Sequence, residues 1–334
     1  MVTKINKIMM DNLIANFTKQ MAEAIEIGKN VKLSPRHKEI RNVVVAGLGG
    51  SGIGANLVAE LISEKMKLPF VVCKDYMLPE FADEHTLLIA SSYSGNTEET
   101  LHAMEDGIKR NCKIVCVTSG GSMLSIAKTA GLDYIIIPGG MPPRSCLAYS
   151  FMQQLFILAY YNLIDNGFIV GIEEAISHLN KEQKRILKLA KSIAKKLNKK
   201  MTVIYSAANM EAVAMRWRQQ LNENSKVLCW HHVIPEMNHN ELVGWRAPGK
   251  YAVVLLRNDT DYPRIQQRMN IAKNIISQYT PNIIEVYSKG DSIIEKSLYL
   301  IHLGDWVSYF LAEIRKVDPV EVNVIEYLKT ELAN

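Results

Sequence analysis

The chain has 334 residues, of which 48% are hydrophobic and 22% charged, with a formal net charge of +5. This length suits about two domains of ordinary globular composition, and the charge is too small and too scattered to predict a nucleic-acid partner. The most apolar stretch, residues 151–161, contains two glutamines and is too short to cross a membrane. Five cysteines without a CxxC pair or a Cys/His ligand spacing, in a chain with no signal peptide, predict a cytoplasmic protein without a metal site.

Apolar runs and helical periodicity alternate through the N-terminal half. Short apolar runs rich in β-branched residues predict strands at 42–46, 69–73, 85–90, 113–117 and 134–137. Helical spacing of apolar residues predicts helices at 53–66, 97–110 and 148–164. Strands that are apolar throughout and separated by helices indicate a parallel sheet covered on both faces. The predicted fold class is therefore α/β, with a doubly wound sheet.

The C-terminal half repeats this arrangement. The lysine- and arginine-rich stretch 181–200 has apolar residues at helical spacing, which predicts a helix with one solvated face. Further strands are predicted at 201–205, 251–256 and 282–286, and a last helix at 320–332. The strand–loop–helix pattern of residues 43–61 recurs at 203–221. We therefore expect two doubly wound parallel-sheet subdomains of flavodoxin-like topology, residues 1–165 and 166–334.

A glycine-rich loop, Gly47 to Gly52, follows the first strand and opens a helix. This glycine loop satisfies G-x-G-x-x-G, and Asp75 ends the second strand about where a ribose-binding acid would lie. On these residues alone a dinucleotide-binding oxidoreductase is slightly favoured.

Small hydroxyl residues follow the third strand. In this segment, which we call the hydroxyl loop (residues 91–97), Ser92, Ser94 and Thr97 precede a helix, and Gly95 lets the backbone approach a ligand. Such a loop offers backbone N–H groups, hydroxyl donors and a helix dipole to one phosphate, although plain helix capping would explain a single Ser or Thr. A pyrophosphate cofactor would not need this second loop, so the two loops together favour a monophosphate site. The next loop, residues 118–122, could line the same crevice, but a flexible surface loop is the favoured interpretation.

Four charged residues elsewhere are candidate site residues, and each also has an ordinary structural explanation. Arg144 follows two prolines that fix its position, and an arginine pairs well with phosphate or hydroxyl oxygens, but a surface charge is the usual role. Glu223 lies between two asparagines that could hold it as a general base, and His239 lies between two that could fix its tautomer. Both are otherwise polar loop or helix-end residues. Lys329 is a solvated helical lysine on sequence grounds alone.

Together these segments resemble the sugar isomerase (SIS) superfamily and, more closely, the bifunctional phosphoglucose/phosphomannose isomerases. The matching stretches cover nearly the whole chain and are residues 47–52, 92–100, 143–144, 222–224, 235–240 and 328–329. The resemblance implies two SIS-type domains. It implies that Gly50 and Ser51 contact the sugar and that Ser92, Ser94 and Thr97 bind its phosphate. Residues 227–233 and 244–250 carry no signature of the family.

The resemblance also assigns catalytic roles. It implies that Arg144 steadies an enediol-like intermediate, that Glu223 moves the proton between C1 and C2, that His239 opens the sugar ring of the partner subunit's substrate, and that Lys329 acts near the ring oxygen. The expected activity is interconversion of glucose 6-phosphate, and also mannose 6-phosphate, with fructose 6-phosphate, without a cofactor, in a homodimer with shared active sites. A non-catalytic phosphosugar sensor, another SIS-domain isomerase and the NAD-linked oxidoreductase stay open as alternatives.

Overall fold

The computed structural model describes residues 9–332, which form strands, α-helices and short 3₁₀ turns. The strands are β1 (Asn42–Ala46), β2 (Phe70–Cys73), β3 (Thr86–Ser91), β4 (Lys113–Thr118), β5 (Asp133–Ile136), β6 (Met201–Ala207), β7 (Cys229–Ile234), β8 (Tyr251–Arg257) and β9 (Ile283–Tyr287). The helices are α1 (Met10–Ala15), α2 (Phe17–Lys29), α3 (Gly49–Ile62), α4 (Glu98–Lys109), α5 (Gly121–Thr129), α6 (Leu147–Tyr160), α7 (Gly167–Leu197), α8 (Glu211–Ser225), α9 (Pro263–Ile276), α10 (Ile293–Arg315) and α11 (Asn323–Leu332). None of the helices between residues 9 and 332 combines the length and apolar character needed to cross a bilayer.

The described residues form two compact units, and most residue contacts lie within one unit or the other. Residues 16–177 form the first, which we call the N-terminal unit, and residues 178–332 with 9–15 form the second, the C-terminal unit. The division falls within α7, whose lysine-rich face is exposed while Ile186, Ala190 and Ile193 are buried, as the periodicity predicted. The predicted domain boundary between residues 165 and 166 stays a prediction.

The N-terminal unit contains a five-stranded sheet in the order β2-β1-β3-β4-β5, and all its pairings are parallel. Its strands are apolar throughout because both faces are covered: α4 and α5 contribute to a core on one face, and α3 and α6 contact the strands as well. The chain leaves β1 toward β2 on one side and β3 toward β4 on the other. The strand order therefore reverses between β1 and β3, and open α/β sheets bind ligands at such a point.

Helix α6 lies in the core of the N-terminal unit. Every residue from Leu147 to Leu158 is buried, including Gln153, whose Nε2 donates to the carbonyl oxygen of Ala24 at 2.9 Å. Gly28 of α2 abuts the ring of Phe156, and an added Cβ there would lie 2.0 Å from that ring. The apolar stretch 151–161 therefore serves packing within one chain.

The C-terminal unit contains a four-stranded parallel sheet in the order β7-β6-β8-β9. The prediction of two parallel α/β sheets is thus confirmed. Strand β7 was not predicted, because Trp230, His231 and His232 interrupt its apolar pattern. Five of its six residues are only half-buried, as expected for a strand at the edge of the sheet.

Asp133 at the start of β5 carries a stability prediction. Burial pushes its pKa up, but Lys113 Nζ at 2.8 Å and both donors of Ser34 outweigh burial, so its pKa lies below the usual value. The ionised carboxylate therefore stabilises the fold above the usual Asp pKa of about 3.9, and this is lost as the pH falls through the lower folded-state pKa. We expect Asp133→Asn to lower the free energy of unfolding by about 1.5–3 kcal/mol at pH 7. In urea unfolding, the difference from wild type should shrink under acidic conditions; a pH-independent difference would show that the charge is not responsible.

Candidate active site

The hydroxyl loop is held in one conformation by its own side chains. Ser92 is buried at the end of β3, and its Oγ lies 2.8 Å from the Oγ1 of Thr97 and accepts a hydrogen bond from the N–H of Gly95 at 3.1 Å. The exposed Ser94 accepts from the N–H of Asn96 at 3.2 Å. The three predicted phosphate-binding hydroxyls therefore lie on one short turn.

Thr97 occupies the N-cap position of α4 but does not cap it. Its backbone is extended, as at a helix N-cap, yet its side chain makes no capping hydrogen bond and bonds to Ser92 instead. The capping interpretation of Thr97 is therefore wrong. The N–H groups of the first turn of α4 are left unoccupied by the Thr97 hydroxyl, which is the condition for binding an anion there.

The loop of residues 118–122 packs against the hydroxyl loop. An added Cβ at Gly95, where φ is +71°, would lie 1.8 Å from the carbonyl oxygen of Gly120. The hydroxyl of Ser119 donates to the carbonyl oxygen of Tyr93 at 2.7 Å, and the N–H of Ser122 donates to Asn96 Oδ1 at 2.9 Å. The expectation of a flexible surface loop is wrong, since this loop is bonded to the hydroxyl loop.

Tyr93 fixes the centre of the hydroxyl loop. Its side chain is buried, and its hydroxyl accepts a hydrogen bond from the N–H of Met141 at 3.2 Å. Burial, with a further contribution from Cys146, raises the pKa of Tyr93 above its usual value. The phenol therefore remains neutral and adds no negative charge beside the proposed phosphate position.

The glycine loop lies against the end of β3. Helix α3 begins at Gly49, four residues earlier than predicted, and its N-cap residue Leu48 provides no side-chain hydrogen bond. An added Cβ at Gly47 would lie 2.9 Å from the carbonyl oxygen of Ser91, so this approach requires glycine. Ser51 is buried in the first turn of α3. The uncapped first turn of a second helix is thus placed beside the hydroxyl loop.

Arg144 approaches the same helix start. It lies on the 3₁₀ turn Pro143–Ser145, and an added Cβ at Gly50 would lie 2.9 Å from the carbonyl oxygen of Pro143. The Arg144 side chain is only 4% exposed, so the interpretation as a surface charge is wrong. The backbone that carries this buried arginine therefore lies against the first turn of α3, where the helix N-terminus also contributes partial positive charge.

Asp75 does not behave as a ligand-binding acid. It is exposed after β2, and its Oδ1 accepts the N–H of Tyr76 at 2.7 Å. The feature that supported a dinucleotide is therefore explained by a local turn.

Glu223 lies in the last turn of α8 and is half-buried. The asparagine amides beside it bind elsewhere: Asn222 Nδ2 donates to the carbonyl oxygen of Val227 at 2.7 Å, and Asn224 Nδ2 donates to Ser308 Oγ at 2.9 Å. These bonds fix the end of α8 to its own turn and to α10. The asparagines therefore position the backbone that carries Glu223.

His239 and Lys329 are both exposed. His239 ends the 3₁₀ turn Glu236–His239, and the amide of its neighbour Asn240 donates to Glu236 Oε1 at 2.7 Å. Lys329 lies on α11, a helix in which no residue is buried. Of the predicted residues, the structure thus brings together Gly50, Ser51, Ser92, Ser94, Thr97 and Arg144 in the N-terminal unit, whereas Glu223, His239 and Lys329 belong to the C-terminal unit.

Known proteins are similar to this sequence over nearly its whole length. The family described as bacterial phospho-glucose isomerase C-terminal SIS domain matches residues 186–332. A bifunctional phosphoglucose/phosphomannose isomerase of Caldicellulosiruptor bescii is 38% identical over 331 residues, which are 96% of this chain and 98% of that protein. One from Thermoplasma acidophilum is 38% identical, covering 87% of this chain and 90% of that protein. The chain belongs to the bifunctional phosphoglucose/phosphomannose isomerase family.

Solved structures share the fold at low sequence identity. The C-terminal domain of glucosamine-fructose-6-phosphate aminotransferase from Francisella tularensis superposes with a TM-score of 0.76 at 12% identity, covering 93% of this chain and 98% of that one. Tagatose-6-phosphate ketose/aldose isomerase from Escherichia coli gives a TM-score of 0.71 at 12% identity, covering 94% and 95%. These similarities show the fold alone, and they confirm the predicted α/β class.

Sequence analysis did not single out Lys226, which fixes the turn that carries Glu223. Lys226, the left-handed C-cap of α8, donates from its Nζ to the backbone carbonyls of Glu223 and, at 2.6 Å, Glu321. It thereby joins the turn that carries Glu223 to the segment that leads into α11. Its position two residues after the Asn-Glu-Asn segment was the only signal in the sequence, and a lysine there is ordinarily a surface charge.

Proposed function

We propose that this chain interconverts glucose 6-phosphate and mannose 6-phosphate with fructose 6-phosphate, the activity that the names of its relatives give for those proteins. The observation that supports this most strongly is that Thr97 bonds to Ser92 and does not cap α4, so its hydroxyl does not compete with an anion for the first-turn N–H groups of that helix. Membership of the isomerase family supplies the class of reaction.

The N-terminal unit is assigned to binding. Ser92, Ser94 and Thr97, with the first-turn amides of α4, hold the phosphate, since hydroxyl and N–H donors and a helix dipole all favour a dianion. Gly50 and Ser51, at the start of α3, contact the sugar. Arg144 stabilises the negative charge of the enediolate, and its burial strengthens that interaction.

The C-terminal unit is assigned to proton transfer. His239 and Lys329 assist opening of the sugar ring, which exposes the C1 aldehyde. Glu223 then removes the proton from C2, and the C1 carbonyl becomes an enediolate oxygen. The same carboxyl returns a proton to C1, while the hydroxyl proton on O2 is lost and O1 gains one, which gives the ketose. This sequence uses one base and cationic groups, so we expect it to proceed without a cofactor.

A cytoplasmic homodimer is the proposed working form. The exposure of His239 suits a residue that reaches a partner subunit's substrate. Helix α11 supports a partner as well, because Val324, Tyr327 and Leu328 are more than half exposed on a helix without a buried residue. All five cysteines are free, as a reducing compartment would leave them. A fully active monomer in analytical ultracentrifugation would contradict the dimer.

The decisive experiment is a coupled assay of the purified protein with fructose 6-phosphate in the presence of a metal chelator. Formation of both glucose 6-phosphate and mannose 6-phosphate supports the proposal. Formation of only one of the two aldose phosphates would restrict the proposed activity to that epimer. Binding of fructose 6-phosphate without either product would instead support a phosphosugar sensor.

Thr97→Val tests the phosphate position. The change keeps the shape of the side chain and removes no capping bond, but it does remove the bond to Ser92, so a crystal structure of the variant checks that the hydroxyl loop keeps its conformation. Loss of a hydroxyl donor to a charged group is worth about 1.5–3 kcal/mol, so we expect KM to rise about 10- to 100-fold with kcat less affected. Thr129→Val, at the exposed end of α5, is the matched control. An unchanged KM would remove Thr97 from the phosphate site.

A further inference from the structure

A small cavity lined by aromatic rings lies in the C-terminal unit, and none of the residues assigned above lines it. Its volume is about 140 Å³, and its lining consists of Trp230, Glu241, Gly244, Trp245 and Tyr251, which we call the aromatic cage. Trp230, Gly244 and Trp245 fall in the two segments that carry no signature of the isomerase family, residues 227–233 and 244–250, and Tyr251 directly follows the second. The cage is therefore a feature that the proposed reaction does not explain.

The rings of the cage stand as walls around the cavity. The Trp245 and Tyr251 rings are 5.3 Å apart between centroids and inclined by 73°, and the Trp230 and Tyr251 rings are 6.3 Å apart and inclined by 79°. In both pairs the rings meet edge to face, so their faces point in different directions beside the cavity that they line. The negative faces of aromatic rings attract a cation placed among them.

Glu241 gives the cage a fixed negative charge. Its Oε1 accepts a hydrogen bond from Trp230 Nε1 at 3.0 Å and another from the hydroxyl of Tyr205. The Tyr205 hydroxyl in turn accepts from Trp245 Nε1 at 3.0 Å, and burial together with Glu241 raises the pKa of Tyr205. One carboxylate thus holds two of the cage rings in place, and its charge is not balanced by a salt bridge to any of residues 9–332.

No cation of the described chain fills this space. Within residues 9–332, the cationic groups that lie over aromatic rings do so at Tyr161, Phe310, Tyr287 and Tyr299, none of which belongs to the cage. The three rings and the carboxylate are therefore open to a ligand from outside.

We propose that the aromatic cage binds a small organic ammonium ion, such as a quaternary or alkylated ammonium group. Three rings and a carboxylate match such a cation in charge and in surface. The volume suits it too, since a cavity of roughly 150 Å³ holds a benzene-sized molecule, and a tetramethylammonium ion is of that size. A sugar phosphate is excluded, because its charge would be repelled by Glu241 and ligand pockets of larger molecules are typically about 300–1,000 Å³.

The test compares two probes that differ only in charge. Choline and its neutral analogue 3,3-dimethyl-1-butanol have nearly the same shape, and their binding to the full-length protein is measured by isothermal titration calorimetry. We expect saturable binding of choline and about 5- to 30-fold weaker binding of the neutral analogue, the range that cation–ring attraction supplies. Equal affinities, or no saturable binding of choline, would overturn the proposal.

Two variants separate the carboxylate from the rings. Glu241→Gln keeps a hydrogen-bond acceptor for Trp230 and Tyr205 but removes the charge, and we expect it to weaken choline binding by about fivefold or more. Glu326→Gln, an exposed residue of α11, should leave binding unchanged. If Glu241→Gln does not fold, Trp230→Phe preserves a ring with a weaker quadrupole and should still weaken choline more than the neutral analogue. Equal weakening of both probes would mean that the cavity recognises shape without charge.

Discussion

Glu223→Gln is expected to reduce kcat about 10²- to 10⁴-fold while leaving the affinity for fructose 6-phosphate near that of the wild type. The amide has the size of the carboxyl but cannot accept the C1 proton of fructose 6-phosphate or, in the reverse direction, the C2 proton of the aldose. Hydrogen bonds of Lys226, Asn222 and Asn224 hold the turn that carries Glu223. These three bonds do not involve the Glu223 carboxylate. The loss should therefore fall on the chemical step.

The control for this variant is Glu211→Gln, at the other end of the same helix, where the side chain is about half exposed. It should retain wild-type turnover. Exchange of the C2 proton of glucose 6-phosphate with solvent deuterium, followed by NMR, tests proton abstraction directly. Glu223→Gln should lose this exchange together with turnover. Turnover retained in Glu223→Gln would assign the base to another residue.

Arg216→Met is expected to lower the free energy of unfolding by about 3–5 kcal/mol, because it leaves Asp305 charged and unpaired in the interior. Arg216 and Asp305 have side chains only 2% and 7% exposed and form a two-point contact, Nε to Oδ1 at 3.1 Å and Nη2 to Oδ2 at 3.0 Å. The pair joins α8 to α10. Urea unfolding followed by circular dichroism measures the loss.

A double variant identifies the cause. In Arg216→Met with Asp305→Asn the buried charge is gone, and the asparagine oxygen can still accept from Gln220 Nε2, which donates to Asp305 Oδ1 at 2.9 Å. We expect the double variant to be more stable than Arg216→Met by about 1–3 kcal/mol. If it is not, the loss comes from packing of the arginine side chain and the unpaired charge is not responsible.

The sequence predicted eight of the nine strands within residues 9–332 to within two residues, including the edge strands β2, β5 and β9, and missed only β7. Strand β3 is buried at every residue and reads as a continuous apolar run, so its position was found to within one residue. Strand β7 was missed because Trp230, His231 and His232 occupy half-buried positions and interrupt its apolar run. The start of α3 was placed too late because Gly49, Gly50 and Gly52 have low helix propensity. The close approach of Gly50 to Pro143 and of Gly52 to Gly47, which only glycine permits, was not visible in the sequence.

For the candidate site, the sequence predicted which residue types form it but not which residues they pack against or hydrogen-bond to. The hydroxyl loop was identified because residue types and a helix start define it locally. The burial of Arg144 was not foreseen, since it depends on the approach of residues distant in sequence. The amides of Asn222 and Asn224 were expected to hold Glu223, but Asn224 finds Ser308, 84 residues away. Such long-range choices of hydrogen-bond partner are fixed by packing, which no local pattern reports.

The contact between the hydroxyl loop and residues 118–122 has a consequence for the energetics of binding. Gly95 meets Gly120 at a distance that no side chain permits. Two hydrogen bonds also join the loops, from the Ser119 hydroxyl to the Tyr93 carbonyl and from the Ser122 N–H to Asn96 Oδ1. The donors proposed to receive the phosphate are therefore preorganised by the fold. Conformational entropy of this turn is lost when the protein folds and is not lost again when a ligand arrives, so a larger share of the interaction energy remains as affinity.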